Sequence, residues 1–153
     1  MRRLSEALYL AAIALWIGGM WAIGYVAAPV LFTSLGDRQL AGAVAGRLFA
    51  LIGWIGLASA AYLVIFMIAR RGAQVFRSSV FWLVLLMSLL VAASQFGIQP
   101  LMAQMKADAL PRDVMESVMR DRFAAWHGIS SILYLVQSLL GLWLVIWADR
   151  GLK

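Results

Sequence analysis

The segment AAWHGISS, residues 124–131, holds the single histidine of a 153-residue chain. Histidine is the side chain best suited to proton transfer near neutral pH and to transition-metal binding, so His127 is the first candidate for chemistry. Ser131, Tyr134 and Ser138 follow it at helical spacing on roughly one face. A serine nucleophile using His127 as its base needs an acid to orient the imidazole. Asp121 lies too far upstream and off the required face. The chain has no cysteine, which removes disulfides, thiolate metal sites and cysteine nucleophiles. No HExxH motif or phosphate-binding glycine loop is present. Every acidic residue falls in a loop or at a helix end, leaving no buried carboxylate pair for acid–base work and no mid-membrane carboxylate for proton coupling.

Two constellations remain. Arg47, Gln95, Gln99, His127, Ser131 and Tyr134, with Gln137 deeper, all fall in the same half of their apolar segments. They could line a cavity open to one face, with Arg47 attracting an anionic group and His127 exchanging a proton. Equally, they could brace the bundle by interhelical hydrogen bonds, each worth about 0.6 kcal/mol in a membrane. The second constellation is soft: Met102 and Met105 are spaced i,i+3, and Met115 and Met119 i,i+4. Thioethers select Cu(I), with His127 near enough to join them. Methionine is also a common filler of apolar seams, and an amphipathic hairpin must pack one.

The elements that position these residues follow from composition. Hydrophobic residues make up 64% of the chain and charged ones 13%, with a mean hydropathy of +0.89. A soluble domain carries about 45–50% apolar and about 25% charged residues, so this composition belongs in a bilayer. Four apolar runs, about 7–32, 42–69, 79–100 and 124–148, reach the roughly 20 residues that a crossing needs. Without period-2 alternation, only helices satisfy their backbone inside lipid. The expectation is an all-α, four-transmembrane-helix bundle forming one domain over residues 1–153. The start, MRRLSEALYLAAIALWIGGMW, imitates a secretion signal. Its apolar run far exceeds a signal's roughly 7–15 residues, so it is read as a retained first helix.

Between the last two runs the chain reads LMAQMKADALPRDVMESVMRDRF, residues 101–123. We read the third helix continuing past a kink at Pro100, a turn near Leu110, and a helix from about Arg112 into the fourth, ending near Ala148. That makes an extended helical hairpin rising about 15 Å from the membrane.

The net charge of +6 does not indicate nucleic acid, because the basic residues flank apolar runs rather than lining one face. Seven lie on the side of the termini (Arg2, Arg3, Arg70, Arg71, Arg77, Arg150, Lys153) and six on the other (Arg38, Arg47, Lys106, Arg112, Arg120, Arg122). The tight cluster RRGAQVFR in the short second loop decides the orientation. Both termini are expected in the cytoplasm, with the hairpin on the non-cytoplasmic side of a bacterial inner membrane. Trp126, Trp143 and Trp147 suit interfacial positions. Gly18 and Gly19 in the first helix, and Gly42 and Gly46 at GxxxG spacing in the second, let helices approach closely. They serve packing within the bundle or, at Gly42 and Gly46, a homodimer face. Pro29 kinks or ends the first helix.

The segments WIGGMWAIGYVAAPVLF, DRQLAGAVAGRLF and AAWHGISSILYL together resemble the transmembrane protein 205-like family, the bacterial membrane domain of unknown function 4149. The likeness spans nearly the whole chain and rests on Gly18, Gly19, Pro29, Phe32, Gly42, Gly46, Phe49, His127, Gly128 and Ser130. It implies a four-helix integral membrane protein and carries no established activity with it. More loosely, the layout looks like the copper-resistance D proteins and the haem-binding HemJ type of protoporphyrinogen oxidase. This chain departs from both: its first helix has no histidine, and one histidine cannot build a multi-histidine copper site.

The expected role is therefore a non-enzymatic binding or accessory module of the membrane, without a cofactor and with the lipid bilayer as its surroundings. One alternative is a haem- or copper-binding redox protein, in which haem on His127 takes a methionine or a second copy's His127 as its other axial ligand. Another is a structural subunit of a homo-oligomer or larger membrane complex.

Overall fold

The computed structural model describes residues 2–110 and 113–152. Four helices are long and apolar enough to span a membrane: α1 (Arg3–Ser34), α2 (Arg38–Arg77), α3 (Ser79–Ala109) and α4 (Arg120–Ile146). A short α5 (Ala148–Leu152) follows. No strand occurs among the described residues. The protein is a multi-pass, all-α bundle, as the apolar runs predict.

The helix limits have local causes. Asp37 caps α2 by accepting from the backbone N–H groups of Gln39 (2.8 Å) and Leu40 (3.1 Å), two donors that have no partner inside the helix. At the far end of α2, Arg70 and Arg71 occupy the last α-helical turn, where positive charge meets the negative end of the helix dipole. Gly72, at φ 55°, turns the chain away into a 3₁₀ segment over Gly72–Arg77. That φ is cheap only for glycine.

Neither Pro29 nor Pro100 ends its helix. A proline inside a helix lacks the N–H donor, and its ring crowds the carbonyl four residues back. Both prolines sit just after a widened π turn, Ala22–Ala27 in α1 and Ser94–Ile98 in α3. The wider turn re-registers the backbone, so α1 runs on to Ser34 and α3 to Ala109.

The hairpin beyond Pro100 is lopsided. Its outgoing arm is helical to Ala109 and turns at Leu110, as expected. Pro111 and Arg112, the expected start of the returning helix, lie outside the described residues. Val114–Glu116 forms one 3₁₀ turn, and α4 begins only at Arg120. Side chains divert the backbone here. Asp113 accepts from Met115 N–H at 2.8 Å, while Ser117 Oγ accepts from Met119 N–H at 3.1 Å and donates to the Val114 carbonyl at 2.8 Å. Such local bonds offer the chain an alternative to the helix ladder.

The helices interlock by setting large side chains over glycines. A Cβ at Gly56 would lie 2.6 Å from Trp16 Nε1, and one at Gly19 would lie 2.7 Å from Ile52 Cδ1. Gly24 similarly receives the ring of Tyr134, and Gly53 the amide of Gln95. Gly141 faces Ile17 at 3.0 Å. Gly18, one residue before Gly19, has no such neighbour. Tyr9 is fully buried, and its hydroxyl, pressed against Gly151, has no hydrogen-bond partner among the described residues.

Three substitutions test these sockets. Gly24→Ala and Gly56→Ala should each lower stability in detergent unfolding by about 1–3 kcal/mol, because the added methyl overpacks a filled site. Gly18→Ala should be neutral or stabilising. Equal losses at all three would contradict the socket packing.

Candidate functional site

The polar side chains of the bundle divide into two groups. In the first, each ties one helix to another. Tyr134 on α4 donates its hydroxyl to the Met20 carbonyl of α1, just before the π turn interrupts the regular backbone ladder. Its ring stands edge-on to Phe49, with centroids 5.2 Å apart, and to Tyr25 at 6.3 Å. Tyr25 returns the link by donating to Ser138 Oγ of α4 at 2.8 Å. Gln95, within the π turn of α3, donates to the Ala50 carbonyl of α2 at 3.2 Å. Gln137 of α4 reaches the Met87 carbonyl of α3 at 3.5 Å. The pairs α1–α4, α2–α3 and α3–α4 are thus each braced by a buried or half-buried polar side chain.

The second group faces outward. Arg47 is exposed and makes no hydrogen bond or ion pair with the described residues. His127 is also exposed, and its ring lies parallel to Phe123 at 5.9 Å. Ser131 turns back to donate to the His127 carbonyl at 2.8 Å. Gln99 is half-buried. The six polar candidates therefore do not gather in one cavity. Gln95 and Tyr134 fill glycine sockets inside the bundle, while Arg47, His127 and Ser131 lie on its exterior.

Lys106, by sequence one of the charges flanking an apolar run, makes specific contacts in the fold. Its ammonium donates to the Gly42 carbonyl at 3.0 Å and sits 5.6 Å over the Phe123 ring. Cβ atoms at Gly42 and Gly46 would come within 3.7 and 3.8 Å of it. The GxxxG pair therefore presents bare backbone to a lysine from α3, not to a neighbouring helix axis. A carbonyl and an aromatic face together suit a cation with part of its hydration removed. The sequence carries a signal for this contact: a lysine in the arm of α3 beyond Pro100, at the glycine end of α2.

Residues 11–109 match the family described as Domain of unknown function (DUF4149). The chain belongs to this family. The match takes in most of α1 and all of α2 and α3, and it stops before α4, so His127 lies outside it. No curated protein and no solved structure matches the chain.

In this DUF4149 protein the hairpin has a small core of its own. Met105, Ala109, Val114 and Phe123 are buried together, with Leu101, Met102, Met119 and Trp126 packed around them. Three of the four candidate thioethers, Met102, Met105 and Met119, thus share one apolar cluster. Met115 is 43% exposed and stands apart. His127 meets the cluster by stacking on Phe123. A hollow of about 120 Å³ beside Met105 and Met119 is also lined by Gln104, Asp108 and Arg122.

Lys106→Met tests the lysine clasp while keeping an apolar stem. A hydrogen bond to a charged group is worth about 1.5–3 kcal/mol, so amide exchange across Met102–Ala109 should rise roughly tenfold or more. Exchange in the middle of α1 should stay unchanged. Equal protection of Met102–Ala109 in both proteins would show that the clasp does not hold the hairpin.

Proposed function

We propose that this DUF4149 protein is a binding or accessory module of the bacterial inner membrane, akin to the transmembrane protein 205-like proteins, and that it recognises its ligand at the hairpin end. The cluster RRGAQVFR favours cytoplasmic termini, which puts the hairpin on the opposite side. The observation that carries the reading is the division of labour among the polar groups. Tyr134, Tyr25, Gln95 and Gln137 are committed to bracing, whereas Arg47 and His127 keep their side-chain donors for something outside the bundle. A guanidinium in an apolar helix extends toward the headgroup layer. Its fork of donors suits a phosphate or carboxylate, on a lipid or on a small polar ligand.

The shared cluster of Met102, Met105 and Met119 supports a second reading, a Cu(I)-binding module with His127 at its edge. One preparation separates the two. Protein purified from membranes would be examined by visible spectroscopy, elemental analysis and native mass spectrometry. The first reading expects a co-purifying lipid or small anion, no Soret band and no stoichiometric copper. It also expects Arg47→Gln to reduce the retained ligand several-fold. Stoichiometric copper that is lost in Met105→Leu would favour the second reading. Ligand retention unchanged by Arg47→Gln would refute the first.

A further inference from the structure

The end of the bundle opposite the hairpin carries its own cluster of charged and aromatic groups. Arg70, in the last α-helical turn of α2, pairs with Glu6 of α1, Nη1 to Oε1 2.7 Å, with the two side chains 23% and 32% exposed. The same guanidinium lies 5.7 Å from the centre of the Phe66 ring. Beside it opens a hollow of about 280 Å³ lined by Ser5, Phe66, Ala69 and Arg70. Deeper in the bundle, Tyr62 donates to the Ser5 carbonyl at 3.1 Å and ties α1 to α2 beneath the hollow.

Three properties say what fits there. The lining is amphipathic: Arg70 and Ser5 stand beside Phe66 and Ala69. It opens where the apolar run of α2 gives way to Arg70 and Arg71, the level at which headgroups begin. By sequence this end of the bundle carries seven basic residues, Arg2, Arg3, Arg70, Arg71, Arg77, Arg150 and Lys153, against two acids, Glu6 and Asp149. Glu6 engages Nη1 of Arg70 and holds the guanidinium in place, while a guanidinium has five N–H donors in all.

We propose that this groove between α1 and α2 binds one anionic glycerophospholipid. Its phosphate would accept from Arg70 and lie beside Ser5, while an acyl chain follows Phe66 and Ala69 toward the membrane centre. The site is distinct from Arg47 and His127, which lie at the other end of the bundle, so either assignment can fail without the other.

The test is native mass spectrometry of the full-length protein in detergent, titrated with phosphatidylglycerol or with phosphatidylcholine of matched chains. The expected result is one phosphatidylglycerol adduct retained at least fivefold over phosphatidylcholine. Arg70→Gln should bring it down to the phosphatidylcholine level. Ala69→Leu, which adds bulk to the apolar lining without changing charge, should also weaken it, and serves if Arg70→Gln fails to fold. Arg77→Gln and Arg47→Gln should leave most of the preference intact, and millimolar inorganic phosphate should not displace the lipid. Equal retention of the two lipids, a preference surviving both Arg70→Gln and Ala69→Leu, an equal loss in Arg77→Gln, or displacement by inorganic phosphate would each overturn the proposal.

Discussion

Trp16 of α1 lies against Gly56 of α2, so close that no β-carbon could stand between them. In a bilayer the helices gain little by hiding apolar surface from one another, because lipid tails are as apolar as leucine. Association must come from contact area and from the few polar links available. The pairing of a large side chain with a missing one supplies the first. It recurs as Ile52 over Gly19, Tyr134 over Gly24, Gln95 over Gly53 and Ile17 against Gly141. Two of these large residues, Tyr134 and Gln95, also carry the hydrogen bonds that supply the second. Packing and polar bracing are therefore not separate systems. At Gly24 and Gly53 the side chain that fills the socket is also the one that reaches the neighbouring backbone.

Much of this architecture was legible in the amino-acid order. Run lengths alone gave four helices. The continuation of α3 past Pro100 and the turn at Leu110 were equally readable, because the polar stretch after Pro100 keeps helix-forming residues until Leu110. The return arm was not. Asp113 and Ser117 look unremarkable within a helical pattern, but their side chains capture nearby N–H groups and delay α4 until Arg120. Competition between a side chain and the helix ladder turns on local backbone geometry, which residue spacing does not encode.

The polar residues show the same boundary. Their depth along the bundle could be read from sequence, but their direction could not. One helical position separates Gly46, on the face met by Lys106, from Arg47, which points outward. A small error in helix rotation converts a cavity-lining residue into a lipid-facing one. Both prolines add to that error, since each π turn rotates everything beyond it relative to a regular helix.

That rotation also bears on Lys106. It sits beyond the second π turn, and its ammonium covers the backbone at Gly42 and Gly46. GxxxG spacing is the pattern by which two membrane helices pair closely. Here the patch is already taken by the chain's own arm, so docking of the hairpin and self-association through these glycines are mutually exclusive uses of one surface. The lysine behaves as a built-in competitor, and any copy-to-copy contact at this face would first have to lift the hairpin away.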